Sequence, residues 1–467
     1  MKKFIVTLLS IGLSISILAG CQSKEASETS AATEKQSADA GNEKKEETEK
    51  SEDSKADEDK DVTEPKGEIV WIAQGVGEDA WEGRSVPILE KFTEETGIKV
   101  TGEFYSFGDL FDVIEVKIAS GSKDYDVISV DVPMVASYAN RGMLAPMDSY
   151  FNADELAQFA ESTVAAGSWD GVFYAPPMNT STQCLWINMQ MLEDAGITLP
   201  ESTTESRLTW EAVAEMAKTV KEELDPDGTN GIIGLEFQQV SRVYQMNALP
   251  NSMGGLNIGK DGFTVDGVIN DEAWVNALTW YQNLTNEGIS SRGITADEIS
   301  NYFYSGKIAF LVGGTWTANS ADQRGPENYT YAPCPAFEGF EDKVGTPTGS
   351  WHFGINAASE YYDLAAEFIK FVALGEGNDM WLEINGDVPA RIEKLDEIID
   401  DADAPGYLKI GAYEAKNTAV PRALTPGFNE YQTIVGNAWE DIRNGSDVKG
   451  SLDSAAEQLN SVMEQYK

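Results

Sequence analysis

Short apolar runs alternate with helical patterns along most of the chain. Runs at residues 69–73, 98–104 and 125–130 have the length and the β-branched or aromatic content of strands. The segments 86–95 and 110–119 between them carry apolar residues at helical spacing. This strand, helix, strand, helix, strand order predicts an α/β fold with a parallel sheet and right-handed crossovers.

The same alternation continues toward the C-terminus. Helices are predicted at residues 210–223 and 272–284, and a buried strand at residues 308–312. The segment 431–465 is predicted to form two helices separated near Gly445, because glycine commonly ends a helix.

The first residues have the pattern of a targeting segment. Lys2 and Lys3 precede an apolar stretch at residues 4–18, which predicts a signal peptide over residues 1–20. The following order Leu18-Ala19-Gly20-Cys21 resembles the bacterial lipobox, in which the cysteine is acylated and becomes the mature N-terminus. The alternative is an ordinary cleaved signal with a cysteine that plays no part. Acylation of Cys21 would hold the protein at a membrane without a spanning helix.

Residues 21–66 are polar and charged and contain no aromatic side chain. Such a segment buries too little apolar surface to offset the entropy of ordering, so it is predicted to be a disordered acidic tether. About 400 of the 467 residues remain, which is too long for one core and predicts two domains.

The chain carries 78 acidic and 34 basic residues, for a formal charge of −44. This charge opposes binding to nucleic acid, to phosphorylated ligands and to anionic lipid surfaces. Many secreted proteins are acidic simply because charge keeps them soluble. The charge alone therefore identifies no ligand.

Metal and catalytic motifs are scarce. His352 is the single histidine, so a histidine-based metal cluster is excluded and a serine or cysteine hydrolase would depend on that one residue. After Cys21 only Cys184 and Cys334 remain, and they could pair or could be two independent buried thiols. Asp225 begins a partial calcium-loop spacing, but the glycine of that loop is absent and a polar turn is the better interpretation. No metal or cofactor is predicted.

The chain then shows a set of motifs in a recognisable order. They are Phe92 to Val100, Tyr125 to Ile128 with Asp131, Phe173 to Pro177 with Trp186 to Asn188, Ser305 to Ala309 with Gly313 to Trp316, and Gly354 to Ser359. In this order they resemble the extracellular solute-binding proteins of carbohydrate ABC importers, the family of the maltodextrin-binding protein. The resemblance extends from about Gly67 to Gln465.

The resemblance implies an α/β, two-lobed fold of the periplasmic-binding-protein type, with a ligand cleft between lobes that a multi-strand hinge joins. Family topology would place residues 67–181 and 348–391 in lobe one, and residues 182–347 and 392–467 in lobe two. It also implies binding without catalysis, so the protein is not expected to be an enzyme.

Candidate ligand residues follow from strand ends and from the family alignment. Ligands of open α/β sheets bind beyond the carboxyl ends of strands, which singles out Gln74 and Asp131; Asp131 could instead cap the helix that begins near Pro133. Trp316 aligns with a family position that stacks on sugar, and Trp351 lies at a predicted crossover between lobes. Tyr244 and Tyr431 are further candidates, for which simple packing is the alternative. Arg242 and Asn179 are weaker candidates. Six tryptophans in periodic strands or helices are expected to pack in the core: Trp186, Trp210, Trp274, Trp280, Trp381 and Trp439.

The predicted function is capture of a sugar, in the form of an oligosaccharide, for delivery to the permease subunits of an ABC importer. The protein is expected to be a monomer, lipid-anchored at the extracellular face of the bacterial cytoplasmic membrane. The negative charge and the aromatic candidates favour a neutral sugar, with a cationic small solute as the alternative ligand. A cell-surface glycoside hydrolase and a scaffolding lipoprotein are the alternatives from other classes.

Overall fold

A computed structural model describes residues 66–240 and 242–467, except for the side chains of Asn319, Ser320, Asp322 and Gln323. The predicted signal peptide, the predicted tether up to residue 65 and the predicted lipidation site Cys21 lie outside the described residues. None of the helices within the described residues has the length and apolar character needed to cross a membrane.

The strands of the described chain form two four-stranded sheets and two short pairs. In chain order they are β1 (Gly67–Gln74), β2 (Ile98–Tyr105), β3 (Val127–Asp131), β4 (Ser168–Trp169), β5 (Val172–Phe173), β6 (Gln183–Asn188), β7 (Ile233–Phe237), β8 (Ile308–Gly314), β9 (Tyr329–Pro333), β10 (Thr346–Thr348), β11 (Trp351–Ile355) and β12 (Ala419–Pro421).

The helices cover the faces of both sheets. In chain order they are α1 (Trp81–Thr96), α2 (Phe107–Val113), α3 (Val135–Asn140), α4 (Ala153–Leu156), α5 (Glu161–Ala166), α6 (Met189–Asp194), α7 (Trp210–Leu224), α8 (Ala248–Asn251), α9 (Glu272–Asn286), α10 (Ala296–Tyr304), α11 (Thr317–Arg324), α12 (Tyr362–Ala373), α13 (Glu376–Asn385), α14 (Ile392–Asp400), α15 (Gly406–Asn417), α16 (Phe428–Arg443) and α17 (Val448–Met463).

The first sheet has the strand order β11-β3-β1-β2. β1 runs parallel to both β2 and β3, and β11 joins β3 in the antiparallel sense. The parallel start predicted from the first three apolar runs is therefore confirmed. Its core includes Trp71, whose ring lies 5.4 Å from that of Phe104 and 5.8 Å from that of Phe368, while its indole nitrogen donates to Ser129.

The second sheet has the order β7-β8-β6-β9. β7 is parallel to β8, and β6 pairs antiparallel with β8 and β9. Trp210 is fully buried beside this sheet, with its ring stacked 5.9 Å from Phe237. Burial of such a side chain stabilises the fold by about 1.5–3 kcal/mol or more, since each apolar Å² removed from water contributes about 25 cal/mol.

The two sheets define two lobes, with lobe one around the first sheet and lobe two around the second. The chain crosses between them near residues 174–182 and again between β10 and β11, where Pro177 pairs with His352 and Ser181 with Gly349. β10 also pairs with β12 in the parallel sense. Several strands and extended segments therefore join the lobes. The residue at which each lobe ends stays a prediction.

Local sequence signals explain several element ends. The α7 helix begins after Thr209, whose side chain accepts from the Ala212 amide. The two predicted C-terminal helices are confirmed as α16 and α17, and Gly445 between them has a φ of 102°, a conformation that glycine adopts without steric penalty. The helix predicted at 110–119 begins earlier, because Ser106 caps α2, and it continues as a π-helical turn over Ile114–Ile118.

Five of the six tryptophans expected in the core are buried. Trp280 is half-buried, and its ring packs edge-on against that of Phe337 at 5.3 Å.

Cys184 and Cys334 are both buried and unbridged, in agreement with the interpretation as independent thiols. Asp225 forms the polar turn that was favoured over a calcium loop, since its carboxylate accepts from the amides of Asn230 and Ile232.

Candidate ligand-binding cleft

A cavity of about 690 Å³ lies between the two lobes. Its lining includes the carboxyl end of β1 at Gln74, the end of β3 at Asp131, and Trp316 just after β8. The volume falls within the range of about 300–1,000 Å³ that is usual for small-molecule sites. The position predicted for the ligand, beyond the carboxyl ends of the strands, therefore coincides with an open cavity.

One wall of the cavity is aromatic and belongs to lobe one. Trp351 lies at the start of β11, with its ring 5.4 Å from Trp81 in an edge-to-face arrangement and 6.5 Å from Phe111 in a stacked one. Phe107 packs on Phe111 at 5.0 Å and remains 45% exposed. This wall offers flat apolar surface to a ligand.

The facing aromatic group belongs to lobe two. Trp316 stacks on Tyr244 with ring centroids 6.1 Å apart and an interplanar angle of 14°, and it is 39% exposed. Gly314 makes room for this arrangement, because a Cβ at that position would lie 2.0 Å from the Trp316 ring. Tyr244 is buried and fixed by a 2.9 Å hydrogen bond between its hydroxyl and that of Ser181.

Asp131 and Arg422 both line the cavity and form an ion pair with each other. Their side chains are 13% and 8% exposed, so the pair is largely shielded from water. The guanidinium of Arg422 also lies 4.7 Å from the centre of the Tyr244 ring. Asp131 makes no side-chain capping bond to the short helical turn that follows it, so the capping alternative is wrong.

Asn179 occupies the crossover beside β11. Its side-chain oxygen accepts from the Ser350 hydroxyl and from the Trp351 amide, and its nitrogen donates to Asp387 at 2.5 Å. Ser350 has a φ of 109°, a strained conformation for a residue with a side chain, and it lies in the cavity wall. Burial raises the pKa of Asp387, whose carboxylate also accepts from the indole of Trp381 at 2.9 Å.

Gln74 and Arg242 also line the cavity. The Arg242 guanidinium lies 5.6 Å from the centre of the Phe107 ring, so a side chain of lobe two rests on an aromatic face of lobe one. The structure thus brings seven of the eight candidate ligand residues to one cavity. Their contacts with a ligand stay predictions.

Tyr431 is the exception, and its placement in the cleft is wrong. Its ring is fully buried on the core face of α16, and its hydroxyl donates to the backbone oxygen of Asn257 at 2.5 Å. Phe428 and Gln432 of the same helix line the cavity instead. A helix turns about 100° per residue, so a neighbouring residue faces a different environment.

Several lining residues were not anticipated from the sequence. They are Trp81, Phe107, Phe111, Glu115, Tyr138, Asp387 and Arg422. The spacing of Phe107 and Phe111, four residues apart, was a signal that they share one helix face. Glu115 lies in the π-helical turn and accepts two 2.7 Å hydrogen bonds from Arg141.

His352 lies behind the cavity wall, on β11. It is buried, its Nε2 lies 3.0 Å from the backbone oxygen of Thr163, and burial lowers its pKa to about 4. Such a group is neutral at physiological pH and does not reach the cavity, as expected of a structural neighbour. In the described part of the chain, no three His, Cys, Asp or Glu side chains cluster in a way that could hold a metal ion.

Comparison with known proteins identifies relatives over most of the chain. The sequence model of the family described as bacterial extracellular solute-binding protein matches residues 82–378, which is more than half of the chain. The maltodextrin-binding protein of Bacillus subtilis strain 168 is 23% identical over 348 residues, covering 72% of this chain and 77% of that protein.

Solved structures show the same architecture. The GacH receptor of Streptomyces glaucescens, described unliganded and in complex with acarbose, has a TM-score of 0.71 at 21% identity and covers 86% of this chain and 99% of its own. An ABC substrate-binding protein of Listeria monocytogenes in complex with cycloalternan also has a TM-score of 0.71, at 20% identity, covering 85% of this chain and 99% of its own. Likeness at these identities establishes the fold, and it confirms the predicted two-lobed α/β architecture.

Proposed function

Since this chain belongs to the family of bacterial extracellular solute-binding proteins, we propose that it captures a sugar, in the form of an oligosaccharide, and delivers it to an ABC importer. The observation that carries the proposal is the cleft itself. Trp351 and Phe107 on one side and Trp316 on the other supply apolar faces, while Asp131, Arg422 and Gln74 supply polar groups. A sugar ring presents matching surfaces, with apolar C–H faces and a rim of hydroxyls.

The sugars named for the relatives support the same ligand class. The Bacillus subtilis relative is a maltodextrin-binding protein, and the Listeria monocytogenes structure contains cycloalternan. An oligosaccharide would also fill a cavity of about 690 Å³ better than a single ring would.

The mechanism we propose is binding without chemistry. A ligand held between Trp351 of lobe one and Trp316 of lobe two has more contacts when the lobes are closed, so it shifts the population toward the closed form. That form would then be the one that the permease subunits receive. The cavity carboxylates suit this role, because Asp131 is paired with Arg422, Glu115 with Arg141, and Asp387 is held by neutral donors.

The cellular setting is part of the proposal. We place the protein at the extracellular face of the cytoplasmic membrane, held by a lipid on Cys21 and acting as a monomer. The support is the lipobox-like sequence, the polar segment that follows it, and the extracellular family to which the chain belongs. Metabolic labelling with a palmitate analogue, compared with a Cys21→Ser variant, tests the anchor directly.

A thermal-shift screen tests the ligand class. The purified protein is heated with neutral mono- and oligosaccharides, polyamines and amino acids, each in large excess. A ligand at about a hundred times its dissociation constant adds roughly 2.7 kcal/mol of stability, which is a visible shift. A shift with one class of sugar supports the proposal. A shift with polyamines alone would keep solute binding and overturn the sugar, and turnover of an oligosaccharide during incubation would establish a hydrolase.

A further inference from the structure

Gln238 is the first residue after β7 and lies at the carboxyl end of that strand. Its side chain is buried and does not line the cavity, so it has no direct part in holding a ligand. A buried amide needs partners for one oxygen and two N–H groups, because each of them loses its hydration on folding. The partners of Gln238 show which parts of the chain it holds together.

Two of these partners lie on either side of Trp316 in the sequence. The side-chain oxygen of Gln238 accepts from the backbone nitrogen of Gly314 at 3.2 Å, and its Nε2 donates to the hydroxyl of Thr317 at 3.1 Å. Gly314 ends β8 and Thr317 begins α11, so both bonds hold the turn that carries Trp316. The same Nε2 donates to the hydroxyl of Ser300 on α10 at 3.3 Å. One side chain therefore attaches this turn to β7 and to α10.

A further partner, Gln245, leads to the second ring of the aromatic pair. Its Nε2 donates to the side-chain oxygen of Gln238 at 3.1 Å, and its own side-chain oxygen accepts from the backbone nitrogen of Gln239 at 2.8 Å. Gln245 directly follows Tyr244, whose ring stacks on that of Trp316. These bonds hold the loop that carries Tyr244 against the end of β7.

We propose that Gln238 is a positioning residue, which holds Trp316 and Tyr244 in their stacked arrangement before a ligand arrives. The inference rests on the proposed function, in which Trp316 presents its ring to a sugar, and it adds what fixes that ring. Gln238 is bonded to the chain next to both stacked residues, so it sets their position relative to each other. A side chain that is fixed before binding loses less conformational entropy when the ligand arrives, so the affinity is higher.

The chain contains a matched control, which separates positioning from a general contribution to stability. Gln282 on α9 donates from its Nε2 to the backbone oxygens of Ile442 at 2.8 Å and Ser446 at 2.7 Å, and it does not line the cavity. Gln238→Met and Gln282→Met replace the same side chain by one of similar length, and both remove hydrogen bonds within lobe two. Only the first change lies next to Trp316.

Titration calorimetry with the sugar that gives the largest thermal shift measures the dissociation constant of each variant. Gln238→Met is expected to weaken binding about two- to tenfold, which is the effect of one side chain that has to be ordered on binding. Gln282→Met is expected to melt at a lower temperature, because it loses hydrogen bonds, but to bind within twofold of the wild type. Wild-type affinity in Gln238→Met, or an equal loss in both variants, would overturn the positioning role.

A double-mutant cycle shows whether Gln238 acts through Trp316. Trp316→Ala removes the ring that Gln238 is proposed to hold, so adding Gln238→Met to it should weaken binding little further. If the losses of the two single variants multiply in the double variant, Gln238 affects binding by another route, and the inference is overturned.

Fluorine NMR of the free protein, labelled with fluorotryptophan, provides a readout that needs no ligand. The signal of Trp316 is identified by its loss in Trp316→Phe. It is expected to shift or broaden in Gln238→Met and to stay in place in Gln282→Met. An unchanged Trp316 signal in Gln238→Met would overturn the inference whether or not a sugar binds. If the signal moves but no sugar binds to the wild type, the proposed function fails and the positioning role stands.

Thr317→Val decides the matter if Gln238→Met does not fold. This change removes one partner of Gln238 beside Trp316 and leaves its bonds to Gly314 and Gln245 in place. It is expected to move the Trp316 signal and to weaken binding about two- to fivefold, which is the effect of one hydrogen bond. An unchanged signal together with wild-type affinity would overturn the inference.

Discussion

Replacement of Trp316 by alanine should weaken sugar binding by an amount that its exposure allows us to work out. A tryptophan side chain has about 250 Å² of surface, and Trp316 is 39% exposed, so roughly 100 Å² is available to a ligand. Coverage of half to all of that area is worth about 1.2 to 2.5 kcal/mol at 25 cal/mol per Å². Since about 1.4 kcal/mol corresponds to tenfold in affinity, the dissociation constant should rise roughly eightfold to sixtyfold.

The assay is titration calorimetry with the sugar that gives the largest thermal shift. Trp316→Phe keeps an aromatic face and should recover most of the affinity. Tyr361→Ala removes an aromatic ring that is 49% exposed but does not line the cavity, so it serves as the matched control. An affinity for Trp316→Ala within twofold of the wild type would refute the stacking role, provided that the variant melts cooperatively.

Two further predictions follow from the packing around the cleft and in lobe two. Gly314→Ala should weaken sugar binding as much as Trp316→Ala does, because its Cβ would displace the Trp316 ring; wild-type affinity in that variant would contradict the geometry. Burial raises the pKa of Glu236 from 4.5 to about 7, so the stability linked to its protonation is fully present below about pH 4.5 and is lost as the pH rises through 7. Urea unfolding should therefore show the wild type losing roughly 3 kcal/mol more than Glu236→Gln between pH 4.5 and 8, whereas parallel pH profiles would contradict a raised pKa.

The sequence predicted the parts of the fold that depend on local pattern. The run at residues 69–73 lies within β1, and the helix predicted at 210–223 matches α7 to within one residue. Both elements have one clear apolar periodicity and are bounded by residues that end or cap them, such as Thr209. The two-lobed architecture was predicted from the order of the motifs, which resembles that of a known family. No single element could have indicated it.

The cleft was predicted only in part, and the reason is geometric. Gln74 and Asp131 could be named because they end strands of one sheet, and strand ends meet at one edge of a sheet. Trp316 could be named because it aligns with a family position that stacks on sugar. Arg422 comes after a three-residue strand late in the chain, and its position opposite Asp131 depends on how the two lobes are joined. Tyr431 was misplaced because the aromatic residue alone does not reveal which face of α16 meets the core.

The central claim is that a sugar binds between the lobes in the cleft lined by Trp316, Trp351 and Asp131. A crystal structure of the protein with the oligosaccharide that stabilises it most tests this claim directly. We predict an intact sugar with one ring against Trp316 and hydroxyls within hydrogen-bond distance of Asp131. A sugar bound outside the cleft, or a cleaved product within it, would contradict the account.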